Sequence, residues 1–198
     1  MTTTAPLREY SPDGLPLDES RRLVALRTGV IGYPDAHAID VAHCSLQIAT
    51  QLDVADEVRR TVVHGALLHD VGKLRIDQRI LSKPGPLTLH EQLRIRQHPL
   101  EGQRIVGQEV DPPVAEVVAA HHERWDGDGY PHGLAGDRIP LAARVVAVAD
   151  AYLAMRENRP YRARISETEA LAELRECSGT QFDPACVDAL VAAVGAAA

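Results

Sequence analysis

The sequence lacks the features that mark several protein classes. Its three cysteines, Cys44, Cys177 and Cys186, are far apart and form no Cys-X-X-Cys pair, which argues against a zinc finger and a disulfide framework. No apolar run approaches the roughly 20 residues of a membrane-spanning helix. The N-terminus has no basic stretch followed by an apolar one, so no signal peptide is expected. We therefore expect a cytoplasmic protein with reduced thiols and no membrane partner.

A surplus of positive charge is also missing. The chain has 21 Lys and Arg against 28 Asp and Glu, which gives a formal net charge of -7. Such a chain has no basic surface for a DNA or RNA polymer, whose binding depends on many cationic contacts. An anionic small molecule would need cations placed locally at its site.

The composition and patterning that remain favour an all-α protein. A chain of 198 residues suffices for one well-cored domain. Residues 1–17, rich in Thr, Pro, Ser and Gly, are predicted to form a flexible arm, and residues 18–198 a single helical domain. Helices are predicted at about 35–52, 55–70 and 142–157, with capping boxes beginning at Thr88 and Ser166 and proline-containing helix starts at Asp111 and Asp183.

The adjacent His69 and Asp70 stand out at the end of an apolar helical run, just before Gly72 and Lys73. A carboxylate has two oxygens and can bridge two metal ions, and the C-terminal end of a helix favours cations. Lys73 would then face an anion attracted by the metals. For this segment alone, the alternative is a capped helix end with a surface Asp-Lys pair.

Other histidines occupy helix ends or apolar faces. His37 continues the apolar stripe of the predicted helix 35–52, and we prefer it to His43 as the inward residue. His98 precedes a proline and should sit at a helix break. His121 and His122 end an apolar helix. For each histidine taken singly, a solvated or hydrogen-bonded side chain is the alternative to metal ligation.

Asp150 adds a carboxylate inside a nearly uniform apolar helix, where an uncompensated charge would be costly. Its alternative is a hydrogen bond to a neighbouring loop. Imidazole and carboxylate ligands without thiolate suit iron, manganese, nickel or zinc better than calcium. An EF-hand is excluded because Pro131 would occupy the obligatory glycine position of the loop. Seven candidate ligands are too many for one tetrahedral site and fit two metals that share Asp70.

Six motifs in this order resemble the HD-GYP family, the branch of the HD phosphohydrolases that hydrolyses the bacterial second messenger cyclic di-GMP. The similarity covers about residues 35–190. The motifs are HDVGK at 69–73, KPGPLT at 83–88, HP at 98–99, HHE at 121–123, DGDGYP at 126–131 and RPYR at 159–162. The resemblance implies an HD-superfamily helical bundle with a signature GYP loop.

The resemblance also implies a site with two divalent metal ions, iron or manganese, that activate a water. One metal would be held by His37, His69, Asp70 and Asp150, and the second by Asp70, His98, His121 and His122. The implied catalytic residues are Asp70 and Lys73. The implied substrate-binding residues are Lys73, Tyr130, Arg159 and Arg162.

The chain departs from the family pattern at three places. Relatives that bind a third metal have a glutamate four residues before the first histidine, where this chain has Tyr33, so two metals are expected. After Asp150, the family usually has a further aspartate and a Thr-Ser-Asp segment, where this chain has Leu153 and residues 156–158 (REN). These changes affect residues that would support the metal ligands, and so the fit of the substrate or the rate of the reaction.

The leading hypothesis is hydrolysis of cyclic di-GMP to linear pGpG, with GMP as product if the second bond is also cut. One alternative keeps the metal chemistry but takes another cyclic dinucleotide or a nucleotide phosphoester as substrate. Another is a catalytically silent signalling module that binds a nucleotide or a protein. A homodimer or a signalling-protein partner is left open.

Overall fold

The computed structural model describes residues 20–22, 24–25, 35–158 and 163–196. Within these residues the regular structure is helical, apart from an isolated bridge between Ser178 and Phe182, so the predicted all-α class is confirmed. The predicted arm, residues 1–17, lies outside the described residues, and the proposed domain boundary stays a prediction. The helices are α1 (Ala36–Gln51), α2 (Asp56–Leu68), α3 (Gln78–Leu81), α4 (Leu89–Ile95), α5 (His98–Val106), α6 (Pro112–Ala120), α7 (Leu141–Arg156), α8 (Glu167–Glu176) and α9 (Pro184–Ala196), with 3-10 turns at Val71–Arg75 and Gly136–Arg138.

Local capping chemistry explains where several helices begin. The Asp35 carboxylate accepts the amide N–H of Ala38 at 3.0 Å and starts α1. The capping boxes predicted at Thr88 and Ser166 are both formed. Prolines occupy the first turns of α6 and α9, as predicted. Helix α2 ends at Leu68, two residues earlier than expected, because the tighter turn Val71–Arg75 takes over after Asp70.

The core has two clusters of buried apolar side chains. The larger lies where α1 packs against α2, α7 and α9, and it includes Leu67. The smaller lies between the turn Val71–Arg75, α5 and α6, and it includes Leu68 and Val71. His69 and Asp70 therefore stand where the two clusters meet.

A close backbone approach joins the turn Val71–Arg75 to α5. A Cβ atom at Gly72 would lie 1.9 Å from the carbonyl oxygen of His98 and 2.5 Å from the amide nitrogen of Gly102. Only glycine allows this approach. The contact places the first turn of α5, and so His98, beside Asp70.

Two sequence-based exclusions can be compared with the described residues. Cys44, Cys177 and Cys186 are free thiols, as predicted. In the described part of the chain, no helix is both long enough and apolar enough to cross a membrane.

Candidate metal centre

The seven predicted metal ligands come from five helices and converge on one place. His37 lies in the first turn of α1, His69 and Asp70 follow α2, and His98 opens α5. His121 and His122 follow α6, and Asp150 lies in α7. Two groups have donor atoms within 4.8 Å of one another: Asp70 with His98, His121 and His122, and Asp70 with His37 and His69. Asp150 belongs to neither group, but its Oδ1 lies 3.0 Å from Nε2 of His37, a member of the second group. Among the described residues, neither group includes His43.

Three fully buried histidines use the same hydrogen bond to orient their rings. In each, Nδ1 contacts the carbonyl oxygen three residues earlier: His69 to Ala66 at 2.6 Å, His98 to Ile95 at 2.8 Å and His121 to Val118 at 2.9 Å. A carbonyl only accepts, so Nδ1 carries the hydrogen in each contact. In the neutral ring, Nε2 then presents a lone pair toward the cluster, which is the form that binds metals.

Several of the donor atoms lack a suitable partner within the protein. His98 Nε2 lies 3.2 Å from His121 Nε2, and with both Nδ1 atoms protonated, neither neutral ring can donate to the other. His69 Nε2 and Asp70 Oδ1 are buried without any hydrogen bond. Buried polar atoms without partners are rare because they are costly. A cation would satisfy these atoms, so the residues present fit a metal centre.

Asp70 is placed to serve both groups. Its Oδ1 lies 3.2 Å from His98 Nε2, and its Oδ2 lies 3.4 Å from His69 Nε2 and contacts Lys73 Nζ. Burial opposes ionisation of this carboxyl, but in the metal-free protein the charges of protonated His69 and of Lys73 outweigh it and hold its pKa well below the usual value. The carboxylate is thus ionised, with one oxygen toward each group.

His37 lies between two carboxylates. Its Nε2 is 3.0 Å from Asp150 Oδ1 and its Nδ1 is 2.8 Å from Glu157 Oε1. The hydrogen bond to Asp150, aided by Glu157, raises the pKa of His37 to about 9, so the ring holds both protons. A cation held by His37 and Asp150 would replace the Nε2 proton. Sequence reasoning missed Glu157 and treated residues 156–158 only as a departure from the family pattern.

Tyr130, from the predicted signature loop, packs against the cluster at His122. Its ring stacks on His122 at 4.8 Å between centroids, and the Arg96 guanidinium lies 5.1 Å from its centroid. Burial lowers the pKa of His122 to about 3, so this ring is neutral. Arg96 was not predicted to take part, and no sequence motif singled it out.

A buried glutamate holds the loop that carries Tyr130. Glu123 accepts the amide N–H groups of His132 at 2.7 Å and Leu134 at 3.0 Å. These bonds close the loop on the end of α6, where His122 lies. The motif HHE included Glu123, but the sequence assigned it no role.

The predicted substrate-binding residues are only partly described. Lys73 is 40% exposed and contacts Asp70, so its ammonium borders both the cluster and solvent. Tyr130 lies beside His122. Arg159 and Arg162 lie outside the described residues.

The HD domain family profile matches residues 18–186. Among curated proteins, the chain is similar to the cyclic di-GMP phosphodiesterase response regulator RpfG of Xanthomonas campestris pv. campestris, with 41% identity over 154 residues that cover 76% of this chain and 41% of RpfG. It is also similar to 3'3'-cGAMP-specific phosphodiesterase 3 of Vibrio cholerae, with 39% identity over 160 residues that cover 80% of this chain and 35% of that protein. The chain thus spans less than half the length of these relatives.

The fold agrees with this match. The crystal structure of a cyclic GMP-AMP specific phosphodiesterase of V. cholerae, V-cGAP3, superposes with a TM-score of 0.65 at 20% identity, over 90% of this chain and 49% of that chain. At this level of identity the likeness shows a common fold. The chain therefore belongs to the HD domain family, and the membership predicted from its HD-GYP motifs is confirmed.

Proposed function

We propose that this chain is a metal-dependent phosphodiesterase that hydrolyses cyclic di-GMP to linear pGpG, with GMP as product if the second bond is also cut. The observation that carries the proposal is Asp70, an ionised carboxylate with one oxygen toward each of two histidine groups. Two groups that share a carboxylate fit the two-metal arrangement used for in-line displacement at phosphorus. The similarity to RpfG supports cyclic di-GMP as the substrate.

The proposed ligands are those implied by the motifs: His37, His69, Asp70 and Asp150 for one metal, and Asp70, His98, His121 and His122 for the other. Iron and manganese both suit these ligands. When bound, two divalent ions lower the pKa of a water and polarise phosphoryl oxygens. The Nδ1 bonds of His69, His98 and His121 keep the Nε2 atoms facing inward.

Other side chains would bind the substrate and stabilise charge. Lys73 is a cation at the solvent edge of the cluster, where it can neutralise charge on the phosphoryl oxygens. Tyr130 would border the substrate next to His122. Arg159 and Arg162 are proposed as phosphate contacts from the motif alone, since arginine suits bidentate phosphate binding.

A second candidate substrate is a hybrid cyclic dinucleotide. The similarity to a 3'3'-cGAMP-specific phosphodiesterase favours it almost as strongly as that to RpfG, with 39% against 41% identity. Competition between the two nucleotides in one reaction would rank them. In either case we propose that the protein acts in the cytoplasm, where cyclic dinucleotide messengers signal.

The first test is hydrolysis by protein purified without oxygen and loaded with iron or manganese. Cyclic di-GMP is added and the products are separated by chromatography. Asp70→Ala should abolish turnover, because it removes the carboxylate shared by both groups. Asp40→Ala, the same change at an exposed position of α1, should leave turnover intact.

The outcomes separate the hypotheses. Turnover by wild type and by Asp40→Ala, but not by Asp70→Ala, supports the phosphodiesterase. Two bound metals without turnover of cyclic di-GMP would point to another phosphoester. Neither metal nor turnover would leave the silent signalling module.

A further inference from the structure

A cavity lies next to the candidate metal centre, and of the residues that line it only Lys73 has a role in the proposed reaction. It has a volume of about 790 Å³ and lies between the turn Val71–Arg75, α3, the loop after α3 and α4. Ligand cavities in proteins commonly measure about 300–1,000 Å³ and combine apolar walls with a few polar groups. This cavity therefore has the size of a ligand site.

The walls suit a flat aromatic ring. They include the apolar side chains of Ile80, Leu81, Pro86, Leu87 and Ile95. Such surfaces favour a planar heterocycle, which loses little conformational freedom when it is buried. The polar groups at the cavity are Lys73, Lys83 and Gln92.

Lys73 connects the cavity to the metal centre. Its ammonium contacts Asp70, and the same residue lines the cavity. A ligand with its phosphate at the candidate metal centre could thus place an attached group in the cavity, with Lys73 between the two. In a cyclic dinucleotide, the group next to each phosphate is a nucleoside.

Hydrogen bonds preform the cavity wall. Lys83 Nζ donates to both oxygens of Glu91, at 3.0 and 2.7 Å, and Glu91 also accepts the amide N–H of Thr88 at 2.7 Å. Gln92 Nε2 donates to the carbonyl oxygen of Leu87 at 3.2 Å. The loop is therefore tied to α4 at both of its ends, and a ligand need not order it.

We propose that this cavity binds a guanine base of the substrate; this rests on the proposed function. Lys83 spends two of its three N–H donors on Glu91, which leaves one for a ligand. Guanine offers the acceptors O6 and N7 side by side, whereas adenine has a donor amino group in place of O6. A lysine at the cavity thus favours guanine over adenine.

The test uses neutral guanosine as the probe, so that the phosphates and metals do not contribute. Binding is followed by saturation-transfer NMR on the full chain, with adenosine as the competing base. Leu87→Trp fills the cavity, and Leu89→Trp makes the same change two residues away at a side chain that is 72% exposed. Circular dichroism checks that each variant is folded.

Guanosine should bind wild type and Leu89→Trp more tightly than adenosine does. Loss of a base contact is worth roughly a 5- to 150-fold change in affinity, so Leu87→Trp should weaken guanosine binding at least about tenfold. On the metal-loaded protein, the same variant should raise KM for cyclic di-GMP. The comparison of guanosine with adenosine needs no variant and holds even if Leu87→Trp does not fold.

The inference is overturned if wild type shows no guanosine signal, if adenosine binds equally well, or if a folded Leu87→Trp binds as wild type does. Its failure differs from failure of the proposed function. Guanosine binding without hydrolysis of any cyclic dinucleotide would refute the phosphodiesterase but not the cavity. Hydrolysis with unaltered binding in Leu87→Trp would refute the cavity alone.

Discussion

The close contact between Gly72 and α5 predicts that a larger residue at position 72 will disturb the candidate metal centre. In Gly72→Ala, the new methyl group would lie 1.9 Å from the His98 carbonyl oxygen, where ordinary contact begins at 3.4 Å. The turn and α5 must therefore separate by about 1.5 Å, because the obstacle is backbone and cannot rotate away. His98 moves with α5, while Asp70 stays at the end of α2.

Two effects follow from this separation. Overpacking costs about 1–3 kcal/mol, and a backbone obstacle favours the upper end, so the melting temperature should fall by about 5–10 °C. Metal sites tolerate displacements of only about 0.5 Å, so the affinity of the metal group that contains His98 should fall at least about tenfold. Manganese titration followed by electron paramagnetic resonance measures the affinity, and calorimetry measures the melting temperature.

Gly195→Ala serves as the control for metal affinity, because its methyl group in α9 has nothing within 4 Å. Gly65→Ala serves as a comparison for stability alone: its methyl group would lie 2.4 Å from a side-chain atom of Val117 in α6, the helix that leads to His121 and His122. If Gly72→Ala binds manganese as tightly as Gly195→Ala does, the argument that this contact positions His98 is wrong.

Three further predictions concern single side chains. In metal-free protein, the raised pKa of His37 contributes stability that is fully present below pH 6.5 and is lost as the pH rises through about 9. Urea unfolding across this range should show that loss of stability. The loss should be smaller in Glu157→Gln, because this change removes one of the two carboxylates that raise the pKa of His37. Tyr130→Ala should weaken manganese binding about 2- to 10-fold, because it removes the ring stacked on His122, while Tyr130→Phe keeps a ring and should bind manganese as wild type does. If Tyr130→Ala binds manganese as tightly as wild type, Tyr130 does not support His122. Burial raises the pKa of Cys44 to about 12 and that of Cys186 further, so iodoacetamide should modify only Cys177 in the folded protein and all three thiols in denaturant, as read by mass spectrometry.

Much of the fold was predictable because its signals are local. The capping boxes at Thr88 and Ser166 and the proline starts at Asp111 and Asp183 depend on residues within one helical turn, so tertiary packing did not change them. The end of α2 was misplaced by two residues. The 3-10 turn that follows it packs against α5 at Gly72, and a local pattern does not show this contact because α5 lies farther along the chain.

In the candidate site, too, the residues were predictable from local signals but their orientations were not. The seven predicted ligands could be named from helix ends and motifs, and the structure brings them together. The orientation of the rings could not be predicted, because the Nδ1 bonds of His69, His98 and His121 require both a finished helix turn and a chosen rotamer. Arg96 and Glu157 were missed because each acts through a residue on another element, Tyr130 and His37.

The contact of Glu157 changes the meaning of the unusual segment 156–158. The described side chains that directly contact the site histidines or Asp70 include three carboxylates, Asp70, Asp150 and Glu157, and one ammonium, Lys73, a net charge of about -2 when the histidines are neutral. Two divalent ions would turn this into about +2, which matches the two phosphodiester charges of a cyclic dinucleotide. By this count of the described side chains, metal binding would change the site from a net negative charge, which repels an anion, to a net positive charge, which attracts one. Glu157 contributes to that balance, so the segment 156–158 still supplies an acidic group to the site.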